Sequence, residues 1–408
     1  MSALLCWHVE VWRCKGRTPT LLEGDAIEQS NNIFTPLMMI LDLIYSLLLA
    51  TIHGRRAPVE TRSGARLPSY PLAVKSPYLS TWVPGRYMDN AARAQPEFWN
   101  DQHLSWPVLA RIDGKTCALF GDPGEVISDA AQTESVTYTS THTYIYMSTG
   151  SVKFVLDFFT PFFPGKDEYA KQSLPYSYLT VNATNTASKT TSIQIFSGID
   201  QTWTSQHGKA DVNYTTAGSA GFLWFYNSDA RPFNEERDMA TWGSVLFGAS
   251  MDDGAVYTCG PREDVVSSFS EGDLPIAPTC EIDHLVAISK DLGHVGGSEP
   301  TSGTSSSATF VVGFQRDDAI DYLGTPQTGY HRSKWPTIPE QVEYVVDNYE
   351  SALAHSLSFD TLIREKAEGV SDEYGHEYAD IVEASVRQMF ASMEITVSPP
   401  ASSTALPS

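Results

Sequence analysis

The fold class this sequence predicts is mainly β with α toward the C-terminus: a large antiparallel β-sandwich followed by helices. Three observations carry that expectation. From about residue 70 to 330 the apolar residues alternate with period two, in short β-branched and aromatic runs bounded by Gly, Pro, Asn or Asp. After Pro339 the period lengthens to that of a helix. The chain has 408 residues, 42% hydrophobic and only 19% charged, which is apolar material for a large core and too little charge for a disordered ground state.

Residues 1–37 are a polar leader containing Cys6 and Cys14. Residues 34–54, FTPLMMILDLIYSLLLATIHG, form a strongly apolar run interrupted by Asp42 and closed by Arg55 and Arg56. Its length suits a bilayer span, and Ile40 to Ala50 has the length of a signal-peptide core. A signal peptide at 38–54 is expected if translation begins at Met38 or Met39. A membrane anchor and a buried apolar segment are the other two readings, so membrane contact is expected only through 34–54, if it is not cleaved. Residues 55–69, with Pro58, Gly64 and Pro68, read as a linker.

Strands are expected at 136–146, 151–159, 177–181, 190–198, 221–226, 242–250 and 308–316, within a sandwich spanning 70–335. The Gly/Ser-rich stretch 293–307 reads as a flexible loop. Val342, Val345, Val346, Tyr349, Leu353, Leu357 and Leu362 keep near-helical spacing, and Tyr378, Ile381, Val382, Ala384, Ser385, Met389 and Phe390 form a second stripe. Two helices are expected in 336–396, with Gly369 and Ser371 punctuating the gap. Two helices cannot bury both apolar faces alone, so they read as the opening of a larger helical domain. Residues 397–408 are a Pro/Ser tail that cannot continue a helix.

The net charge of −22 would repel nucleic acid from most of the surface, so no nucleic-acid partner is expected. That charge belongs to the globular part: from residue 67 onward 20 basic side chains stand against 43 acidic ones. Three cysteines remain there. Cys259 and Cys280 flank a Gly/Pro-rich loop and are the candidate disulfide, with two free thiols as the alternative, and Cys117 reads as a small buried hydrophobe. Asn182 and Asn213 head N-glycosylation triplets in Thr-rich turns.

Motifs for cofactor or metal chemistry are absent: no Walker A loop, GxGxxG or HExxH occurs, so no cofactor is expected. His376 and Asp380 stand four apart but lack a third ligand, so no metal is expected. Ala217 to Gly221 mimics a nucleophile elbow but precedes a strand, the wrong context for one. Asp252 with Asp253, and Asp317 with Asp318, read as turn residues, because adjacent strand residues face opposite ways.

The aromatic and polar clusters are more informative. Tyr78, Ser80 and Trp82 are spaced for one strand face, and Trp99, Asp101, His103 and Trp106 crowd into FWNDQHLSWPV. Indole planes beside carboxylate and amide groups suit a small polar ligand, so Tyr78, Trp82, Trp99, Asp101, His103 and Trp106 are the ligand-pocket candidates. The competing reading has the tryptophans stapling the sandwich edge and the polar groups bonding loop backbone.

At these residues the sequence resembles the secreted fungal glutaminase A family. The resemblance rests on PLAVKSPYLSTWVPG, AQPEFWNDQHLSWPVLARIDGKTCALFG, FFTPFFP, LPYSYLTV, VVGFQRDDAIDYLG and EYADIVEASVRQMFASMEIT, in the family's order across 70–396. It implies a secreted enzyme hydrolysing L-glutamine to L-glutamate and ammonia, with a β-sandwich followed by an (α/α)6 toroid of the six-hairpin glycosidase-like class. It also implies that 336–396 is a truncated start of that toroid, that the 408-residue chain is inactive as written, and that the leader 1–37 belongs to a faulty gene model. The catalytic residues are not assigned by it. Two other function classes stay open: a non-catalytic carbohydrate-binding sandwich stacking sugars on Trp82, Trp99 and Trp106, and a glycoside-hydrolase-like protein.

Overall fold

The computed structural model describes residues 65–204, 210–227, 230–251, 254–272, 274, 284–296 and 307–398. The apolar run at 34–54, Cys280, Asp252, Asp253, most of the 293–307 loop and the tail from 399 lie outside them. In chain order the strands are β1 (Ser69–Ser76), β2 (Leu79–Pro84), β3 (Glu97–Phe98), β4 (Val108–Ile112), β5 (Lys115–Phe120), β6 (Gln132–Tyr138), β7 (His142–Thr149), β8 (Val152–Phe159), β9 (Tyr176–Asn185) and β10 (Thr191–Ile199). They continue with β11 (Ala210–Ala217), β12 (Ala220–Asn227), β13 (Glu235–Glu236), β14 (Met239–Ala240), β15 (Ser244–Ser250), β16 (Val256–Pro261), β17 (His284–Val295), β18 (Ser307–Gln315), β19 (Ile320–Tyr322), β20 (Thr325–Gly329) and β21 (Thr396–Val397). The helices are α1 (Tyr169–Gln172), α2 (Arg262–Glu271), α3 (Ile338–Asp347), α4 (Tyr349–Glu368) and α5 (Gly375–Ala391).

Eight strands form one sheet, ordered β11-β12-β15-β18-β9-β8-β7-β6, and five form another, ordered β16-β17-β10-β4-β5. Neighbours pair antiparallel, so the sandwich expected from the period-two runs is the architecture found. The alternation places residues on two cores. In β9, Leu179, Val181 and Ala183 face the core between the sheets, while Tyr176 and Tyr178 face a second core under the helices. In β18, Phe310, Val312 and Phe314 go one way and Val311 the other. The large sheet is thus covered on both faces along part of its width, which is why its strands read as unbroken apolar runs such as GFLWFY.

Three local expectations are corrected. Residues 136–146 are not one strand: β6 and β7 form a hairpin, because the Thr139 hydroxyl accepts from the Thr141 and His142 amides and turns the chain. The loop after Cys259 contains α2, started by Pro261 with Glu263 and Asp264 in its first turn and stopped by Gly272 at φ 86°. Three helices, not two, follow the sandwich, since Asn348 breaks the first stripe between α3 and α4. The start of α3 is fixed by a capping box between Thr337 and Glu340. Among the described residues no helix is long and apolar enough to cross a membrane.

Candidate functional site

Tyr78 sits in the turn between β1 and β2, where a guanidinium, an indole and a carboxylate converge on it. The Arg316 guanidinium lies over its ring at 4.1 Å, and Trp242 packs against it edge-on at 5.5 Å. The Tyr78 hydroxyl donates to Glu235; burial first, and Glu235 second, push its pKa up. Arg316 is nearly fully buried, donates to the Ala319 carbonyl at 2.7 Å and grips Glu394 with its other arm.

The loop that follows β3 stands beside this cluster. Asn100 donates to the Arg237 carbonyl, and Arg237 donates back to Gln102 at 2.9 Å. Trp99 lies tilted on Phe98 and is 49% exposed. Glu97 is buried, with Arg86 and His103 each 3.7 Å away, and burial raises its carboxyl pKa. Trp82, half-buried, donates its indole N–H to Ser80 at 2.9 Å and pairs across the strands with Glu97. Four non-glycine residues here hold positive φ: Asp101 at 68°, Phe233 at 62°, Arg237 at 51° and Asp238 at 60°. Such backbone is costly for a bulky side chain and gathers where loops are held for a purpose.

Five of the six ligand-pocket candidates thus gather at this end of the sandwich: Tyr78 in the β1–β2 turn, Trp82 on β2, and Trp99, Asp101 and His103 in the loop after β3, with residues 235–242 joining Tyr78 to that loop through Glu235, Trp242 and Arg237. Trp106 does not belong with them. It is 0% exposed and packs edge-on against Phe158 at 5.1 Å and Trp203 at 5.3 Å, so it is a core residue with no face open to a ligand. Tyr78 also leaves the predicted strand face, because the turn precedes β2. A cleft of about 380 Å³ takes in none of the six; it is lined by Arg93, Asp122, Gly124, Glu125, Ile127 and Ser128.

The remaining expectations fall as follows. Cys259 is disulfide-bonded and Cys117 is a buried free thiol, while Cys280 lies outside the described residues. Asn182 and Asn213 are exposed, but they stand within strands β9 and β11 rather than in the turns expected. The elbow-like stretch at 217–221 is the β11–β12 hairpin turn, with Ser219 donating to Asp347. His376 bonds Glu368 and Asp380 bonds Arg364, and no cluster of three or more metal-type ligands occurs among the described residues.

Sequence reasoning missed a second polar assembly, under α4 and α5. These helices turn Ser356, Asp360, Glu383 and Arg387 inward, and leave Tyr378, Ile381 and Met389 exposed. Asp360 accepts from the Thr139 and Thr141 hydroxyls at 2.6 and 2.7 Å, and Arg387 donates to the Pro71 carbonyl at 3.1 Å. Arg364 spans Glu368, Asp380 and Glu383 at 2.7, 2.7 and 2.9 Å. His142, stacked between Tyr144 and Phe159, meets Asp157 at 2.7 Å. Burial raises the Asp360 carboxyl, raises Glu383 to about 7 and lowers Arg387 to about 10. The only signal in the sequence was polar residues at the inward spacing of a helix, which ordinarily marks a solvated face.

The family model for DUF5127, a domain of unknown function, matches residues 141–366, which takes in β7 through most of α4. The chain belongs to that family. It is 30% identical over 382 residues to Glutaminase A of Aspergillus oryzae, an alignment covering 88% of this chain and 53% of that protein. A protein named "Probable glutaminase" from Arthroderma benhamiae is 22% identical over 357 residues, covering 78% of this chain and 40% of that one. The chain thus spans about half the length, or less, of these curated relatives, and its resemblance to the glutaminase A family is established. Among solved structures, a bacterial glucoamylase complexed with acarbose aligns at a TM-score of 0.36 and 12% identity, covering 72% of this chain and 39% of that one.

Proposed function

We propose that this chain is the β-rich part of a secreted glutaminase, which adds water to the side-chain amide of L-glutamine and releases L-glutamate and ammonia. One observation carries the reading: 30% identity to Glutaminase A sustained over 88% of the chain. The described residues supply a scaffold, with a two-sided sheet supporting helices on one face and a loop cluster at one end. That loop cluster, with the exposed Glu235 on Tyr78 and the exposed Arg86 beside Glu97, offers charges of both signs to a zwitterionic amino acid. Export is assigned to 38–54, and N-terminal sequencing of the protein from culture medium tests it: a start between residues 50 and 70 is expected.

The activity test is release of ammonium and glutamate from L-glutamine by the protein made from its full transcript. Equal amounts of both products are expected. Sugar release from α-glucans without ammonium would overturn the reading in favour of a glycoside hydrolase. The carbohydrate-binding alternative keeps one supporting observation, the exposed indole of Trp99. Polysaccharide binding abolished by Trp99→Ala would favour it.

A further inference from the structure

The interface between the α4–α5 pair and the sandwich holds an unbalanced set of charges. Asp360 and Glu368 come from α4, Asp380 and Glu383 from α5, and Asp157 from β8; against them stand Arg364, Arg387 and His142. Five carboxylates face two guanidiniums and one imidazole, and Asp157, Asp360, Glu383, Arg387 and His142 are all buried. Where like charges share a low-dielectric site, one carboxyl takes up a proton.

Glu383 is the group placed to do so. Its carboxylate meets Arg364 at 2.9 Å, but that guanidinium is already divided between Asp380 and Glu368. From the same helix Asp380 crowds it, from α4 Asp360, and from β6 the neutral phenol of Tyr138, whose hydroxyl donates to the Asp380 carbonyl at 3.2 Å. Beyond Asp360 lie Arg387, His142, Asp157 and Tyr144. The Ala65 amide donates to Asp380 at 2.9 Å, so the start of the sandwich is tied to the same assembly.

We propose that this assembly is a proton-controlled clamp: a proton on Glu383 tightens the α4–α5 pair onto the sandwich, and its loss loosens the pair. The direction follows from the displacement of Glu383 from 4.5 to about 7, caused first by burial and opposed by Arg364. The docked state binds the proton more tightly than the undocked one, so docking is strongest below the ordinary glutamate pKa. It weakens as pH rises toward about 7 and stays weak above that.

Hydrogen exchange of the α4 and α5 amides, each rate divided by its unstructured-peptide rate at the same pH, tests the clamp. From about pH 5 to about pH 8, protection there is expected to fall on the order of a hundredfold, with β9 and β18 little changed. Glu383→Gln, neutral at every pH, is expected to shrink that fall, what remains belonging to Asp360, whereas Glu365→Gln on the exposed side of α4 keeps the wild-type fall. Equal protection at the two pH values in the wild type overturns the proposal, as does an undiminished fall in Glu383→Gln. If Glu383→Gln does not fold, carboxyl NMR titration of wild-type Glu383 decides: a midpoint well above the usual glutamate range is expected, and one inside it overturns the clamp.

Discussion

Replacing Trp106 separates a core tryptophan from a ligand platform. Its ring is wholly buried between Phe158 and Trp203, and its indole N–H has no hydrogen-bond partner among the described residues. A buried tryptophan removes about 150–250 Å² from water, so Trp106→Ala is expected to cost about 3–5 kcal/mol of folding stability. Trp106→Phe behaves differently. The lost ring is worth about 1–2 kcal/mol of burial, but the substitution also deletes a buried donor whose unmet bond costs about 1–3 kcal/mol. The net change is therefore between about 1 kcal/mol destabilising and about 2 kcal/mol stabilising. Urea unfolding, compared at constant m-value, reads both, and Trp99→Ala on the exposed indole serves as a control within about 0.5 kcal/mol of wild type. If Trp106→Phe is as damaging as Trp106→Ala, the account of the orphaned N–H is wrong. If Trp106→Ala leaves stability intact while removing ligand binding, the core assignment itself fails.

Two further outcomes follow from the same structure. Thr337→Ala breaks the capping box at the start of α3 and is expected to lower stability by about 1 kcal/mol, measured by thermal unfolding; Thr337→Asp should restore most of it. Cys259→Ser removes the disulfide and is expected to cost about 2–4 kcal/mol by denaturant unfolding, with no comparable effect of reductant on the Cys259→Ser variant.

The sandwich was legible because its residues obey one rule. In β9, β15 and β18 successive side chains enter opposite cores, and the β-branched and aromatic runs that result are what a period-two pattern detects. The strand at 136–146 was misread because its interruption, the Thr139 to Thr141 turn, is made of residues that also favour strands. The loop end was half legible: its aromatics stood out, but Arg316, Glu235 and Trp242 reach Tyr78 from distant segments, and Glu394 holds Arg316 there. Trp106 shares its neighbours' composition and differs only in its packing, against Phe158 and Trp203 in the core. For α5 the stripe itself misled. Phe390 is buried as expected, but Tyr378, Ile381 and Met389 face out while Glu383 and Arg387 face in, a reversal that periodicity cannot orient.

That reversal gives the helices unequal grips on the sheet. Val342 and Val345 of α3 enter an apolar core with Trp335, Phe222, Leu246 and Val311, and Tyr178 donates to the Val345 carbonyl at 2.8 Å. Hydrophobic burial of that kind tolerates small displacements. The α4–α5 pair is seated otherwise: Tyr349, Ala352 and Leu353 at the start of α4 reach the same core and Phe162 packs on Phe359 and Phe390, but farther along, from Asp360 through α5, much of the contact is hydrogen-bonded charge. A buried ionic contact contributes little net stability while intact, because desolvation offsets most of its attraction, and it is lost abruptly when its geometry slips. The pair should therefore open as a unit before α3 and the sandwich unfold. At about pH 8, native-state exchange across increasing urea is expected to release the α5 amides at lower denaturant than those of α3, β9 and β18. A single isotherm joining all four would show that the charged interface holds as firmly as the apolar one, and would refute the division drawn between them.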